Sequence, residues 1–452
     1  MGGGGHGTAA LLLLKSASLL YSLVERIGLF CDNAGYLEIT MKVFDNPDFR
    51  PRLRPDLEFI PVQYQGKPVW IVRDSLGLIS KSLVLPEETI AVLRLIDGKK
   101  NVRDLQLQLI RLNNGDFIGS EVVSDLLTNL DSSFLLESDL YRQEKEKIVK
   151  GFIQEKTRKP YLAGKSYPNS EKELRDYLDS CFSLSEKKKL KGTAEPVRAL
   201  ISPHIDYEIG KKVYVEAYSS VRGMNPKKIL LLGVGHSLDN HLLSLTDKDF
   251  NTPFGTVYTD KKYIESLRKA GQEIIAPDDF AHRSEHSIEF QLIFLQYLFG
   301  NTFSIIPVLF GSFHRLLSSF SRPADIPSLK ECLCVLKNLW EKESSETLIV
   351  AGVDFSHIGP KFGHVQSAAS MLAETELQDK CLMDAICRND VKGFWKQTQK
   401  NVGRFNVCGF SALSCLLEIV PNARGEVLSY DLWQEEVTRS AVSFAAMVLY
   451  KP

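Results

Sequence analysis

The sequence predicts an α/β domain that follows a smaller α+β module. After about residue 160, β-rich runs alternate with helical segments, which is the pattern of an α/β domain. Four of these runs are almost continuously apolar, as expected of strands covered on both faces. The predicted organisation is an N-terminal extension (1–40), a module (41–141), a charged linker (142–157) and the α/β domain (158–452).

Composition and charge exclude several classes of protein. The 452 residues include 55 Lys and Arg and 56 Asp and Glu, so the net charge is −1. With 44% hydrophobic and 25% charged residues, the chain has the balance of a soluble globular protein. The nearly equal numbers of acidic and basic residues argue against a nucleic-acid partner. So does the third predicted helix of the module, because it carries acidic Glu121 and Asp125 instead of a basic face.

Eight cysteines are too few for a disulfide scaffold in a chain of this length. The nearest pairs, Cys332/Cys334 and Cys381/Cys387, match neither CxxC nor a zinc ribbon. We therefore expect reduced thiols and a cytoplasmic protein. Any metal site must be assembled from distant parts of the chain.

The N-terminal extension has no recognisable targeting signal. A glycine run precedes an apolar stretch that Lys15 interrupts, and no basic residue comes before that stretch. A secretory signal needs such a basic region, and a membrane span needs a longer unbroken apolar stretch. We expect a poorly ordered extension over 1–40 with no membrane span, or translation that starts at Met41.

Residues 56 to 140 predict a hairpin and three helices, which is a winged-helix-like arrangement. The hairpin joins Leu57–Gln63 to Val69–Arg73, Pro86 opens the first helix, and Phe134–Glu137 is a candidate return strand. The run LPEETIAVLRLIDGKKNVRDL (85–105) resembles PqqD-like domains, which recognise peptides. That resemblance implies a peptide or protein partner, whereas the alternative is a structural domain that contacts only its neighbour.

Five strands are predicted in the α/β domain, and polar side chains follow three of them directly. His204 follows the first strand, His236 the second, and Asp354 and His357 the fourth. Ligands bind at the carboxyl edge of open α/β sheets, so these residues predict one clustered site. The predicted strands are Val197–Ser202, Lys228–Leu232, Phe303–Leu309, Leu348–Val353 and Ser440–Leu449, with helices over 287–299 and 368–386.

Cys408 is a further candidate for this site. Gly409 and a helical apolar pattern follow it, which places the thiol at a helix amino end, where the helix dipole favours a thiolate. The alternative is a small buried hydrophobic residue. Two imidazoles and a thiolate suit Fe(II), copper or zinc, and ligand type does not choose among them.

Carboxylates and further imidazoles complete the predicted site. Asp354 or Glu285 is placed to orient a ligating imidazole or to act as a base. His286 and His357 are candidates for moving protons if they line the same pocket.

An ordered series of motifs from residue 158 onward resembles the MEMO family, also called AmmeMemoRadiSam system protein B. The motifs are AGKSYP (163–168), SPHIDY (202–207), LLGVGHS (231–237), FGTV (254–257), EHSIEFQL (285–292), IIPVLFG (305–311), GVDFSHIGPKFG (352–363), CGFSAL (408–413) and SAVSFAAMVLY (440–450).

The resemblance implies a fold similar to class III extradiol dioxygenases and a metal site of two histidines and one cysteine. Carried over by motif, the ligands of iron or copper are His204, His236 and Cys408. The pocket residues that match are Glu285, His286, Asp354 and His357. The family name also implies partners, a radical SAM protein and an AMMECR-type protein, in a multi-protein modification system.

Four residues in three motifs depart from the usual pattern of that family. Ile205-Asp206 replaces a small residue and glycine, Ser237 replaces a second histidine, and Phe410 replaces an arginine. The loss of that guanidinium puts recognition of an anionic substrate in doubt, while the three predicted ligands are retained.

The sequence leaves three functions open. The first is a non-haem iron or copper redox enzyme, for example a dioxygenase, with His286, Asp354 and His357 as acid/base groups. The second is a non-catalytic adaptor that has inherited the cleft. The third is a zinc hydrolase with Glu285 or Asp354 as the base.

Overall fold

The computed structural model describes residues 43–79, 83–183, 197–238, 240–343 and 345–451. These residues form two compact units, and the chain passes from one to the other between Gly151 and Phe152. The predicted extension over 1–40 lies outside the described residues. In the described part of the chain, no helix has the length and apolar character that a membrane crossing requires.

The first unit contains a three-stranded antiparallel sheet followed by helices. The predicted hairpin is confirmed, and Gln65 and Gly66 at its tip both have positive φ, as two-residue hairpin turns require. The elements are β1 (Leu57–Tyr64), β2 (Lys67–Asp74), β3 (Leu83–Pro86), α1 (Glu87–Leu93), α2 (Val102–Leu112), α3 (Ser120–Ser132) and α4 (Asp139–Gln154).

Two local predictions for this unit are corrected. The expected strand at Phe134–Glu137 is wrong, because Phe134 has φ of 56° and Leu136 makes only an isolated bridge to Leu53. The third strand is β3, which ends at Pro86 directly before α1. An edge strand tolerates proline because the missing N–H is not needed on its open side.

The second unit contains one large mixed sheet, so the predicted α/β class is confirmed. In the described residues its strand order is β12-β14-β5-β11-β6-β10-β9-β8-β4, with β13 on β14 and β7 on β10. The strands are β4 (Thr157–Arg158), β5 (Val197–Ser202), β6 (Lys228–Val234), β7 (Leu243–Leu245), β8 (Asp249–Thr252), β9 (Gly255–Thr259), β10 (Ser304–Phe310), β11 (Thr347–Gly352), β12 (His357–Ile358), β13 (Arg424–Glu435) and β14 (Ser440–Tyr450).

The five predicted strands are β5, β6, β10, β11 and β14. The first four run parallel at the centre of the sheet, so their carboxyl ends lie at one edge. β14 runs antiparallel to β5 and pairs along its length with β13, which the sequence analysis did not predict. Many side chains of β13 are exposed and charged, so its sequence lacks the apolar pattern of the other strands.

Helices cover both faces of the sheet. In β6, Leu230 and Leu232 enter one apolar core, while Ile229 and Leu231 enter the other. Two-sided burial explains why the central strands are continuously apolar. The helices are α5 (Glu171–Ser183), α6 (Tyr207–Ser219), α7 (Lys261–Gly271), α8 (His286–Phe299), α9 (Pro327–Glu341), α10 (Leu372–Cys387), α11 (Val391–Lys400) and α12 (Phe410–Ile419).

The first turn of α8 lies directly against the carboxyl end of β11. A Cβ atom on Gly352 would stand 2.3 Å from the carbonyl oxygen of Ser287. Only glycine permits this approach, because a contact that short between heavy atoms is strongly repulsive. This close packing brings the residues at the start of α8 to the same edge as the ends of the parallel strands.

We predict that Gly352→Ala lowers the free energy of unfolding by about 1–3 kcal/mol, the usual cost of overpacking a core. Gly151→Ala is the control, because a Cβ atom there meets nothing within 4 Å. Urea unfolding monitored by tryptophan fluorescence measures both. Equal stability of Gly352→Ala and the wild type would show that the first turn of α8 does not lie this close to Gly352.

Candidate metal centre

Three potential metal ligands meet at the carboxyl edge of the central strands. His204 follows β5, His236 follows β6, and Cys408 precedes α12. One donor atom from each lies within 4.8 Å of the other two. His204 is buried, whereas the side chain of His236 is 40% exposed, so the cluster is accessible from the His236 side.

His204 is held with one ring nitrogen turned toward the cluster. Its Nδ1 lies 3.0 Å from the carbonyl oxygen of Gly352, which can only accept a hydrogen bond, so Nδ1 carries the proton. Nε2 is therefore the unprotonated nitrogen, and it lies 3.5 Å from Sγ of Cys408. Burial, together with the nearby His286 and His236, lowers the pKa of His204 well below its usual value, so the ring is neutral.

His236 is oriented by the carboxylate of Glu285. Its Nδ1 lies 2.9 Å from Oε2 of Glu285, and its backbone N–H donates to the same oxygen. Burial alone would raise the pKa of Glu285, but its interactions with His236 and His286 hold that pKa well below the usual value. An ionised Glu285 keeps the proton on Nδ1 of His236, so Nε2 is free to bind a metal.

Glu285 also begins α8. Its Oε1 accepts the backbone N–H groups of His286 and Ser287, each at 2.9 Å. Glu285 is thus the N-cap residue of α8, and both of its oxygens are already engaged. His236, Glu285 and His286 form a second group of donors within 4.8 Å, but these contacts favour an orienting role for the carboxylate.

Cys408 lies at the amino end of α12, as predicted. A Cβ atom on Gly409 would stand 2.7 Å from Cβ of Val353, so this glycine allows the thiol to approach β11. Sγ lies 3.4 Å from the carbonyl oxygen of Asp354. Burial, followed by the charge of Asp354, raises the pKa of Cys408 well above its usual value, whereas the helix dipole favours a thiolate.

The remaining predicted residues surround this centre. The ring centroid of His286 lies 5.0 Å from that of His204 and 4.9 Å from that of His236. Oδ2 of Asp354 lies 3.6 Å from Nε2 of His204, and burial raises the pKa of Asp354 to about 7. Asp354 therefore stands beside the ligand set, although in the described residues it belongs to neither donor group.

His357 is turned toward its own loop. Its Nδ1 lies 3.1 Å from the carbonyl oxygen of Phe355, and its ring packs edge-on against Phe362. Burial lowers the pKa of His357 to about 4, so the ring is neutral near pH 7. Within the described part of the chain, it too lies outside both donor groups.

Arg158 is a buried residue next to this centre that the sequence did not indicate. Its side chain is 1% exposed and is paired with Glu289 of α8. It also donates hydrogen bonds to the carbonyl oxygens of His282 and Glu285, at 3.0 and 2.8 Å. Arg158 follows a long run of charged residues, and nothing in that pattern distinguishes a buried arginine from a solvated one.

Comparison with known proteins identifies the family. A family model described as "Memo-like protein" matches residues 158–448, which include every residue of this centre. The chain belongs to the Memo-like family. This confirms the resemblance that the motifs indicated.

Several MEMO1 family proteins are similar to this Memo-like chain. One from Aquifex aeolicus is 30% identical over 407 residues, covering 88% of this chain and all of the relative. One from Thermus thermophilus is 25% identical, covering 77% and 99%. One from Nitrosopumilus maritimus is 25% identical, covering 64% and 98%. The Aquifex alignment is longer than residues 158–452, so it extends into the N-terminal unit.

We predict that Glu285→Gln lowers metal affinity about ten- to a hundred-fold, the usual effect of removing a carboxylate that orients a ligating histidine. The amide can still cap α8, but it no longer keeps the proton on Nδ1 of His236. Asp390→Asn is the control, because the carboxylate of Asp390 caps α11 by accepting the N–H of Gly393 and lies on a helix without a proposed ligand. Competition with a chromophoric chelator measures the affinity for Co²⁺, and wild-type affinity in Glu285→Gln would contradict the orienting role.

We also predict that affinity for Co²⁺ rises about ten-fold per pH unit between about pH 6.5 and 8.5. Burial raises the pKa of Cys408, so a metal must displace one thiol proton over this range, and the cost of doing so falls as the pH rises. His204 contributes a neutral nitrogen throughout, because its pKa lies well below the usual value. In Cys408→Ser most of the affinity should be lost and the slope should become much shallower, leaving only the contribution of Asp354, whose pKa is about 7. A flat profile in the wild type would show that the thiol is not a ligand.

Proposed function

We propose that this Memo-like protein is a metal-dependent redox enzyme in which His204, His236 and Cys408 bind Fe(II) or copper. The observation that carries the proposal is the arrangement of the three donors. Each imidazole has a backbone carbonyl or a carboxylate at Nδ1, which leaves Nε2 free for a metal. The thiol of Cys408 lies beside the nitrogen of His204.

The spacing of the donors fits a metal ion. Metal–nitrogen bonds of about 2.0–2.1 Å and metal–sulfur bonds of about 2.3 Å at a tetrahedral angle separate nitrogen from sulfur by about 3.5 Å. Nε2 of His204 and Sγ of Cys408 are 3.5 Å apart. Three protein ligands also leave open coordination positions for a substrate, as in catalytic metal sites.

The choice of iron or copper rests on the family resemblance, because nitrogen and sulfur donors also suit zinc. A zinc hydrolase would need a carboxylate free to take a proton from a bound water. Glu285 is a poor candidate, since His236, His286 and Ser287 already donate to its oxygens. The hydrolase alternative therefore depends on Asp354 alone.

The bound metal would supply electron transfer to or from the substrate, and the surrounding side chains would handle protons. Asp354 is placed to hold a proton beside His204, because its Oδ2 lies 3.6 Å from the ring nitrogen. His286 lies against both ligating imidazoles and is the second proton carrier in this proposal. The exposed side of His236 is where a substrate would enter.

The N-terminal unit is proposed to recruit a peptide or protein partner. Support comes from the run over 85–105, which resembles PqqD-like domains, and from the Aquifex relative, whose alignment extends into this unit. The proposed partners are a radical SAM protein and an AMMECR-type protein acting in one modification system. If the metal site is absent, this unit becomes the basis of the adaptor alternative.

Elemental analysis of protein purified without oxygen tests the proposal. We expect close to one iron or copper per chain in the wild type and almost none in Cys408→Ser or His236→Ala, because each variant removes a ligand. Cys334→Ser is the control, since Cys334 is exposed and lies on α9, which carries no residue of the centre. Zinc in the wild type would favour the zinc hydrolase. A wild type that binds no metal even after reconstitution would overturn the redox enzyme and favour the non-catalytic adaptor.

A further inference from the structure

A further buried carboxylate contacts the loop beside the metal centre but none of the three proposed ligands. Asp379 of α10 is fully buried, and three hydroxyl groups donate hydrogen bonds to it. Oδ1 accepts from Ser356, and Oδ2 accepts from Ser443 and from Tyr430. Burying a charge among neutral groups is costly, and here burial raises the pKa of Asp379 to about 6.

The hydroxyl groups of Ser356 and Ser443 tie a short loop segment to β14. The segment is Asp354–His357, between the end of β11 and β12. The N–H of Ser356 donates to Oγ of Ser443, the N–H of Phe355 donates to the carbonyl oxygen of Ser443, and Ser443 donates back to Ser356. Asp379 accepts hydrogen bonds from both serine hydroxyls, so it holds Ser356 and Ser443 in the positions that these backbone contacts need.

The same segment holds two of the three proposed metal ligands. Oδ1 of Asp354 accepts the backbone N–H of His204 at 2.9 Å. The carbonyl oxygen of Asp354 lies 3.4 Å from Sγ of Cys408 and accepts the N–H of Gly409. A shift of the segment would therefore change the separation between His204 and Cys408.

We infer that Asp379 is a positioning residue of the metal centre: through Ser356 and Ser443 it holds the Asp354–His357 segment where His204 and Cys408 stand at ligand separation. This inference rests on the proposed metal function. A positioning role explains why a carboxylate whose hydrogen-bond donors are neutral hydroxyl groups stands in the core, where an apolar residue would normally be more favourable. Asp379 acts through the segment and contacts neither ligand.

The main test compares Asp379→Asn with Ile386→Ala. Ile386 is a buried residue two turns further along α10 and lies in the apolar core, so its truncation destabilises the same helix. Co²⁺ affinity is measured by competition with a chelator, well below the melting temperature of each variant. We expect Asp379→Asn to lose about ten-fold in affinity or more, as for other groups that orient ligands, and Ile386→Ala to stay within about two-fold of the wild type.

Amide hydrogen exchange of the metal-free protein gives a second readout. Asp379→Asn should speed exchange at Phe355 and Ser356, whose N–H groups bond to Ser443, while Ile386→Ala should not. This readout needs no metal, so it separates the two proposals. If the wild type binds no Co²⁺, the proposed function fails, and unchanged exchange in Asp379→Asn overturns the positioning role by itself.

Two further variants keep the inference testable if Asp379→Asn does not fold. Ser356→Ala removes the hydroxyl within the segment and should lower Co²⁺ affinity in the same direction. Tyr430→Phe removes a hydroxyl that donates to Asp379 from β13, outside the segment, and should have little effect. Equal losses in Ser356→Ala, Tyr430→Phe and Ile386→Ala, or no loss in Ser356→Ala, would overturn the inference.

Discussion

The carboxylate of Glu285 is the interaction on which the centre depends. It caps α8 through two backbone N–H groups and orients His236 through Nδ1. Its own carbonyl oxygen is held by the buried Arg158. One residue therefore couples the start of a core helix to the chemistry of a ligand at the sheet edge. Because α8 also packs directly on Gly352, whose carbonyl holds His204, two of the three ligands depend on the same packing.

The fold places the polar side chains of the centre at an edge of the sheet where hydrogen-bond partners are available. The interior of the sheet is apolar on both faces, so buried polar groups are costly there. At the edge where the parallel strands end, backbone groups of Gly352 and Asp354, and of Ser443 in the antiparallel strand β14, supply hydrogen-bond partners instead. The neutral imidazole of His204 and the protonated thiol of Cys408 place no charge at two of the three ligands, and a metal would bring the charge that displaces the thiol proton.

Much of this was predictable from the sequence, and the exceptions have physical causes. The central strands and the positions of His204 and His236 follow from apolar runs that end in polar residues, since parallel strands share one carboxyl edge. The position of Cys408 at a helix amino end follows from the helical apolar pattern after it. β13 was not predicted because its sequence lacks the apolar pattern of a buried strand, and its pairing with β14 holds it in a strand conformation. Arg158 and Asp379 were not predicted, because the burial of a charged residue depends on partners that are distant in the sequence. Arg158 bonds to Glu285, 127 residues away, and Asp379 to Ser443, 64 residues away. The protonation of Cys408 depends on burial, which a helix-terminus argument does not include.

The most direct test of the account is X-ray absorption at the edge of the metal bound by the wild-type protein. We expect one sulfur neighbour at about 2.3 Å together with two imidazole nitrogens at about 2.0–2.1 Å. A first shell made only of nitrogen and oxygen neighbours would contradict it. The metal would then lie elsewhere, and the close approach of Cys408 to His204 would have only a structural role.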